Sequence, residues 1–414
     1  MILKNNEYFI QDFKISDLAI EYGSPLYVYD GNVIEEKVRR LKNAFSEINM
    51  KIKYACKANT NISILKLMKN LGVELDVVSP QELQLGLIAG FLPDNITFTS
   101  SGVGFDEIED SVENGVIVNI DNLPTLEKFG KKYGNTQAVL IRIRPNVEGG
   151  GNQKISTGHK DSKFGIAIEQ VDQILALQQK YDLNIVGIHQ HTGSDIKDGS
   201  TFVEVANVVF EFAKSFKNLK YIDLGGGFKV PYKKGDHETD MEDLGEKLSA
   251  AFKKFCEEYG KDLELWFEPG KYLVSECGIL LATANVVKEN PGKTLIGLNT
   301  GLNHLIRPMM YDAYHKVINV SNTSENLQKY NVVGYICETD DIAKDRSLSA
   351  ASDGDIFAIL NAGAYGFTMA SNYNSRLKPA EVLIYKNQKY LIRERQTLQD
   401  IINKQILIDF NYET

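Results

Sequence analysis

Short apolar runs alternate with amphipathic stretches along the first two thirds of the chain. Eight of the apolar runs are typical of strands, and residues at helical spacing follow most of them. The predicted strands are 51–57, 74–79, 96–100, 116–121, 138–145, 184–193, 221–227 and 264–270. At a spacing of roughly 30 residues, this alternation predicts a parallel (β/α)8 barrel. A doubly wound sheet is the alternative, but it rarely needs eight regular units.

The pattern changes after Gly270, where short runs follow one another without crossover helices. The predicted strands here are 274–287, 294–298, 316–320, 331–337, 356–360, 381–385 and 388–392, and the tail 397–407 has helical spacing. Turn residues separate these runs, which predicts an antiparallel sheet or a small β-barrel. The fold class is therefore α/β, with a (β/α)8 barrel and a C-terminal β-domain.

Composition narrows the classes of function. The 414 residues carry a net charge of −9, which argues against nucleic acid because phosphate binding needs a basic surface. The four cysteines are widely spaced, so neither a disulfide framework nor a metal site is expected. Residues 1–12 do not resemble a signal peptide, and no apolar run has the length of a membrane span. We expect a reduced, cytoplasmic protein that binds neither membranes nor metals.

Polar residues at the carboxyl ends of barrel strands meet at one mouth, where active sites of barrels lie. Here these strand ends supply Lys57, Asp76, Ser79, Glu82, Arg142, Arg144, the run His189–Ser194, the run Asp223–Phe228 and the run Glu268–Tyr272. So many polar groups at one mouth disfavour a purely structural barrel.

Four of these features together indicate a pyridoxal phosphate (PLP) site. Lys57 follows an apolar run, so a lowered pKa and a Schiff base are expected, although a surface lysine fits as well. Gly225–Gly227 with Ser194 suits a phosphate, or simply a tight turn. His191 is catalytic or structural. Glu268 is placed to face a heteroaromatic nitrogen.

The motifs resemble those of the barrel-type PLP decarboxylases of basic amino acids, most closely the diaminopimelate decarboxylase family. The match runs in order from Tyr22-Gly23-Ser24-Pro25 to Pro379-Ala380-Glu381-Val382. It implies a PLP-binding barrel at 26–274 and a β-domain of 1–25 with 275–414, which completes the active site across a homodimer.

The resemblance also implies roles for individual residues. Lys57, in Tyr-Ala-Cys-Lys-Ala-Asn, forms the Schiff base with the cofactor, and His191, in His-Gln-His-Thr-Gly-Ser, stacks on its ring. Ser194 and the backbone of Gly225–Gly227 hold the phosphate, and Glu268, in Glu-Pro-Gly-Lys, pairs with the ring nitrogen. Asp76, Gly270 and Tyr365 complete the predicted cofactor site.

Further motifs match the diaminopimelate branch. Arg307 lies in the motif Gly-Leu-Asn-His-Leu-Ile-Arg-Pro, and Tyr311 follows it. The resemblance implies that both contact the substrate, as does Tyr365. Cys337-Glu338 reaches into the partner subunit's site, where Cys337, or alternatively Lys57, returns a proton to the α-carbon and Glu338 holds the distal ammonium.

Three positions depart from the family pattern. Lys271 replaces an arginine, which keeps the charge but loses the bidentate fork on a substrate carboxylate. Ser79-Pro80-Gln81-Glu82-Leu83 replaces Ser-Gly-Gly-Glu-Leu, and Thr339-Asp340 follows Cys337-Glu338 where Ser-Gly is common.

The function implied is decarboxylation of meso-diaminopimelate to L-lysine and CO2, the last step of lysine biosynthesis. Decarboxylation of ornithine, arginine or carboxynorspermidine is the alternative, which Lys271 leaves open. An amino-acid racemase does not need the predicted clamp on the distal carboxylate. A non-catalytic PLP-binding relative is expected to lack Lys57 or Cys337, and both are present.

Overall fold

The structure is a computed structural model that describes residues 1–146, 162–193, 199–339 and 341–410. By compactness it divides into two units. The barrel unit consists of the described residues of Asp30–Gly278 together with Gly363–Thr368. The sheet unit consists of those of Met1–Tyr29, Ile279–Ala362 and Met369–Thr414. The domain limits given by the sequence, 26–274 and 1–25 with 275–414, stay a prediction.

Eight parallel strands close into a barrel. They are β1 (Met50–Ala55), β2 (Glu74–Val77), β3 (Ile96–Phe98), β4 (Ile117–Ile120), β5 (Ala138–Arg144), β6 (Asn184–His189), β7 (Tyr221–Asp223) and β8 (Glu264–Phe267). Pairing of β8 with β1, from Leu265 opposite Met50 to Phe267 opposite Ile52, closes the ring. The predicted (β/α)8 barrel is confirmed, since a doubly wound sheet would leave these two edges apart.

Helices precede, connect and follow the barrel strands. They span Gly31–Ala44, Ile62–Asn70, Pro80–Ala89, Phe105–Glu113, Leu123–Tyr133, Val171–Tyr181, Gly199–Ala213, Met241–Tyr259 and Lys271–Val274. The strands are buried on both faces, which explains their continuous apolar runs. No helix in the described part of the chain is both long and apolar enough to cross a membrane.

The departure at Ser79–Leu83 has a local reason in the helix Pro80–Ala89. The Ser79 hydroxyl accepts the N–H of Glu82 at 3.2 Å, and the Glu82 carboxylate accepts the N–H of Val78 at 2.9 Å. Pro80 stands in the first turn, where no backbone donor is needed, and Gly90 ends the helix in the left-handed conformation. The changed motif therefore still forms a well-capped helix after β2.

The sheet unit contains a long mixed sheet. Its strands, in spatial order, are Asp341–Ser349, Leu327–Val333, Lys293–Leu298, Gly278–Asn290, Leu26–Asp30, Ala380–Tyr385 and Gln388–Arg393, with Ile356–Ile359 and Val317–Asn319 on a branch. Three N-terminal strands, Ile2–Lys4, Glu7–Ile10 and Phe13–Lys14, form a small separate sheet. The helices of the sheet unit are Ile15–Tyr22, Arg307–Tyr311 and Leu398–Ile402.

The β-domain predicted from the sequence is confirmed as a class, but three details were wrong. Lys293–Leu298 pairs in parallel with Leu327–Val333, so the sheet is not purely antiparallel. The strand Asp341–Ser349 was missed because charged residues interrupt its apolar alternation. The tail helix is shorter than predicted and ends at Ile402.

Candidate active site

Lys57 lies in the short 3-10 turn Cys56–Ala58, directly after β1. Its neighbours Cys56 and Ala58 are buried, while its own side chain is exposed. The Ala58 carbonyl accepts the N–H of Tyr365 at 2.9 Å, and the Asn59 side chain donates to the Gly363 carbonyl at 3.2 Å. Two bonds to one distant segment, Gly363–Tyr365, thus hold the backbone that follows Lys57.

The pKa of the Lys57 ammonium is raised, not lowered as the sequence predicted. Desolvation lowers this pKa, but the Tyr365 phenol and the carboxyl groups of Asp76 and Glu268 raise it by more, against the opposing charge of Arg142. The apolar run before Lys57 indicated burial but could not reveal these acidic neighbours. Lys57 must therefore lose a proton before it attacks a carbonyl.

Glu268 and His189 form a buried pair inside the barrel. Nε2 of His189, the last residue of β6, lies 3.0 Å from Oε2 of Glu268, which follows β8. Burial raises the pKa of Glu268, but His189, His191 and Lys57 outweigh it and lower the pKa to about 2. Burial lowers the pKa of His189. We therefore assign an ionised Glu268 that accepts a hydrogen bond from the Nε2–H of His189.

His191 is held by the glycine run of the next strand end. Its Nδ1 accepts the backbone N–H of Gly226 at 3.2 Å. Burial, together with the charges of Arg142 and Lys57, lowers the pKa of His191 to about 3. The ring is neutral with its proton on Nε2, because Nδ1 is the acceptor. A neutral imidazole of fixed orientation suits the predicted stacking role.

Only glycine fits the run after β7. A Cβ on Gly225 would lie 2.7 Å from the Gln190 carbonyl oxygen, and one on Gly226 would lie 2.4 Å from that of Glu268. Gly225 N–H donates to Asp223 Oδ1 at 2.8 Å and Gly226 N–H to His191, so both are used within the protein. The N–H of Gly227, at φ +110°, has no partner among the described residues. That the run holds phosphate stays a prediction.

Two further buried acids line the barrel interior. Asp76 Oδ1 and Asp223 Oδ2 have no hydrogen-bond partner within the described residues. Burial and the charge of Glu268 raise the pKa of both. Ligand atoms of His189, Asp223 and Glu268 lie within 4.8 Å of one another, a spacing that a metal ion also tolerates. The expectation of no metal stays a prediction.

These residues fit pyridoxal phosphate. Glu268 is buried and ionised, so it can stabilise the positive charge of a protonated pyridine nitrogen. A Cβ on Gly225 or Gly226 would meet protein atoms, so these glycines let the strand ends pack closely, and the N–H of Gly227 is the donor of the run that a ligand could use. Lys57 stands exposed beside this group with the nucleophilic nitrogen that the cofactor requires.

Lys271 opens the short helix after β8 and is buried, with its Nζ 5.9 Å from the centre of the Tyr232 ring. The preceding Gly270 packs against the turn of Lys57, since a Cβ there would lie 3.1 Å from that of Ala58. Gly270 and Lys271 thus belong to the same end of the barrel as the predicted Schiff-base lysine.

Two further predicted substrate residues, Arg307 and Tyr311, lie in the sheet unit. Arg307 is buried and begins the helix Arg307–Tyr311, which Tyr311 ends. Arg307 Nη1 lies 3.1 Å from Nε2 of His315, a contact that the sequence did not reveal.

Cys337 and Glu338 contact a second loop of the sheet unit. The Asn374 side chain donates to Cys337 Sγ at 3.2 Å, and the Tyr373 hydroxyl donates to the Glu338 carboxylate. Tyr373 and Asn374 follow no motif that we singled out, although they lie a few residues before Pro379-Ala380-Glu381-Val382. Asn374 has a positive φ of 55°, which asparagine tolerates better than most residues.

The structure thus brings Lys57, Asp76, His191, Gly225–Gly227, Glu268, Gly270, Lys271 and Tyr365 into the barrel unit, and Arg307, Tyr311, Cys337 and Glu338 into the sheet unit. Ser194, predicted to hold the phosphate, lies outside the described residues. Among functional candidates, His189 was seen only as part of its strand end, and His315, Tyr373 and Asn374 were not found from the sequence.

Comparisons with known proteins point to one family. Residues 32–275 match the family model described as "Pyridoxal-dependent decarboxylase, pyridoxal binding domain". The diaminopimelate decarboxylase of Methanothermobacter thermautotrophicus is 36% identical over 399 residues, which cover 94% of this chain and 93% of that protein.

Solved structures agree in fold over nearly the whole chain. The crystal structure of diaminopimelate decarboxylase from Methanocaldococcus jannaschii has a TM-score of 0.91 at 33% identity and covers 98% of both chains. The Helicobacter pylori enzyme complexed with L-lysine has a TM-score of 0.86 at 32% identity, covering 94% of this chain and 98% of that one.

The resemblance seen in the motifs is therefore confirmed over both units. The chain belongs to the pyridoxal-dependent decarboxylases, and within them to the diaminopimelate decarboxylase family.

Proposed function

We propose that this chain decarboxylates meso-diaminopimelate to L-lysine and CO2, the last step of lysine biosynthesis, with pyridoxal phosphate as cofactor. The observation that carries the proposal is the buried, ionised Glu268 bonded to His189, with Lys57 exposed beside it. It occurs in a chain whose relatives at 32–36% identity are diaminopimelate decarboxylases.

The barrel unit supplies the groups that hold and orient the cofactor. When bound, pyridoxal phosphate supplies an electron-accepting ring that stabilises the electron pair left by departing CO2. Glu268 keeps a proton on the ring nitrogen, and His189 keeps Glu268 ionised and oriented. His191, locked by the N–H of Gly226, supports the ring face and excludes water. Asp76, Ser194, Gly225–Gly227, Gly270 and Tyr365 would complete this site.

The substrate would be recognised by its charged groups remote from the reacting carbon. Lys271 and Arg307 hold the distal carboxylate with Tyr311 and Tyr365, and Glu338 holds the distal ammonium. Such anchors separate a dicarboxylic diamine from ornithine, arginine or carboxynorspermidine, the alternative substrates. Cys337 Sγ, or Lys57 Nζ, returns the proton to the α-carbon.

The assembly proposed is a homodimer in the cytoplasm. Cys337 is exposed and Glu338 is exposed beside it, so both are accessible to a second subunit. In this proposal the pair enters the partner subunit's site, so a monomer would lack the proton donor. A monomer would bind the cofactor in its barrel but would decarboxylate the substrate slowly.

The test is a comparison of substrates with purified, PLP-loaded protein. CO2 release and product identity are measured with meso-diaminopimelate, LL-diaminopimelate, ornithine, lysine and arginine. We expect L-lysine from the meso isomer alone. Turnover of a monocarboxylic diamine would leave the assigned fold and cofactor unchanged but would remove Lys271 and Arg307 from their proposed roles at the distal carboxylate. No activity on any substrate would favour a non-catalytic relative.

A further inference from the structure

His315 is a fully buried histidine of the sheet unit with a different partner at each ring nitrogen. Its Nδ1 lies 2.8 Å from the carbonyl oxygen of Leu360, and its Nε2 lies 3.1 Å from Nη1 of Arg307. A carbonyl oxygen only accepts, so Nδ1 carries the proton. A guanidinium only donates, so Nε2 offers its lone pair to Arg307. The contacts thus fix one tautomer.

This tautomer is stable over the working range of the protein. Burial and the positive charge of Arg307 lower the pKa of His315 to about 3. A proton on Nε2 would face the guanidinium and remove the acceptor that Arg307 uses. His315 therefore remains a neutral acceptor at every pH at which a cytoplasmic enzyme operates.

The backbone holds both ends of this contact. His315 precedes the strand Val317–Asn319, which pairs antiparallel with Ile356–Ile359. The N–H of Leu360 donates to the carbonyl of Lys316 at 2.8 Å, which extends the same pairing by one bond. The imidazole and the carbonyl that orients it are therefore carried by two paired segments, and the ring cannot turn away from Arg307 without losing its bond to the Leu360 carbonyl.

We propose that His315 is a positioning residue that sets the plane of the Arg307 guanidinium for a substrate carboxylate. Bidentate binding of a carboxylate requires the guanidinium plane to be fixed. A neutral imidazole fixes it without cancelling the positive charge, whereas an Asp or Glu at 315 would compete with the substrate. The inference rests on the proposed function, in which Arg307 holds the distal carboxylate.

Three variants separate positioning from support of the fold. His315→Asn keeps a donor near the Nδ1 position for Leu360 but is too short to reach Arg307. His315→Gln places an amide oxygen near the Nε2 position, where it accepts from Arg307. The control is His304→Gln, because His304 is another fully buried histidine of the sheet unit, with Thr300 Oγ1 and the Leu377 carbonyl each 3.0 Å from a ring nitrogen.

Two ligands separate binding of the carboxylate from turnover. L-lysine retains the carboxylate that Arg307 would hold, and cadaverine is the same diamine without it. Binding of each to the PLP-loaded protein is followed by the absorbance of the cofactor, and KM and kcat are measured for meso-diaminopimelate. His315→Asn should weaken L-lysine binding and raise KM by about tenfold, as expected for a lost bond to a charged group. It should leave kcat and cadaverine binding within about twofold.

His315→Gln should recover most of the affinity, and His304→Gln should leave KM unchanged. In an Arg307→Ala background, His315→Asn should have no further effect, because its role acts through Arg307. An equal loss in that background, an equal loss for cadaverine, or wild-type protein that binds no L-lysine would overturn the inference. If wild-type protein binds L-lysine but forms none from meso-diaminopimelate, the proposed function fails, while the binding cycle still measures the coupling of positions 307 and 315.

Discussion

Nε2 of His189 lies 3.0 Å from Oε2 of Glu268, and both side chains are buried in the barrel. The pair explains how a carboxylate remains ionised away from water: the hydrogen bond from His189 and the nearby Lys57 lower the pKa of Glu268 despite burial. An ionised Glu268 is what the ring nitrogen of the cofactor requires. The proposed cofactor site therefore depends on a contact between the ends of strands β6 and β8 rather than on a single motif.

Lys57→Ala should abolish the absorbance of the Schiff base between lysine and cofactor. Turnover should fall by more than about 10³-fold, because both the covalent link and one candidate proton carrier are lost. Absorbance and decarboxylation are measured after loading with PLP. Lys66→Ala, at an exposed lysine of the following helix, is the control and should behave as wild type. Retained absorbance in Lys57→Ala would contradict the assignment of Lys57.

Gly226→Ala should lose affinity for PLP. Its Cβ would lie 2.4 Å from the Glu268 carbonyl oxygen, so the end of β8 must move, and the bond to His191 moves with it. The free energy of unfolding should fall by about 1–3 kcal/mol. Gly199→Ala is the control, since its Cβ would have no contact closer than 3.4 Å. PLP titration and chemical unfolding measure both effects, and unchanged affinity in Gly226→Ala would argue against the glycine cradle.

Lys271→Arg should lower KM for meso-diaminopimelate by about two- to tenfold with little change in kcat. The planar fork of arginine offers a carboxylate two parallel bonds, which the point charge of lysine cannot. Steady-state kinetics on both proteins measure the effect. A KM that does not change would remove Lys271 from the contacts to the substrate carboxylate.

Tyr373→Phe should raise KM for meso-diaminopimelate by about two- to fivefold, because the hydroxyl that orients the Glu338 carboxylate is lost. Tyr390→Phe is a matched control: Tyr390 is also an exposed tyrosine of the sheet unit, and its hydroxyl donates to the side chain of Gln388. KM and kcat are compared for both. Equal effects of the two substitutions would argue that Tyr373 has no special part in substrate binding.

Buried histidines should make the protein less stable as the pH falls below 6.5. Burial lowers the pKa of His304 to about 4 and that of His191 and His315 to about 3. Below pH 6.5 the unfolded chain binds protons at these sites that the folded chain does not yet bind. Each histidine therefore lowers the free energy of unfolding by up to about 1.4 kcal/mol per pH unit, down to its folded pKa.

His304→Gln isolates one of these histidines. Between pH 6 and about pH 4, the free energy of unfolding should depend less steeply on pH, by the contribution of one proton (about 1.4 kcal/mol per pH unit at most). This change in slope is expected whatever the change in absolute stability. Denaturant unfolding at a series of pH values gives the slope for the variant and for the wild type. Identical slopes would show that His304 titrates alike in the folded and unfolded chain.

The barrel could be predicted from the sequence because its strands are buried on both faces and appear as apolar runs. Lys57 and Glu268 were found because they end such runs, where the barrel places its site. Contacts between distant segments left no such signal. Tyr373 is 35 positions from Glu338, and both lie on loops whose approach depends on the sheet between them.

The charge state of Lys57 shows a second limit of prediction from the sequence. The apolar run predicted desolvation and hence a lowered pKa, whereas the acidic groups of Asp76 and Glu268 reverse the direction. These groups come from other strands and meet Lys57 only when the barrel closes. The strand Asp341–Ser349 was missed for a different reason, since exposed charged residues interrupt its apolar pattern.

The most direct test of the central claim is a single reaction of PLP-loaded wild-type protein with meso-diaminopimelate, with Lys57→Ala as the blank. CO2 is measured by trapping, and the product is identified by chiral chromatography. The proposed function predicts L-lysine and CO2 in equal amounts from the wild type and neither from the variant. Absence of L-lysine from the wild type, at a protein concentration where the cofactor is fully bound, would contradict it.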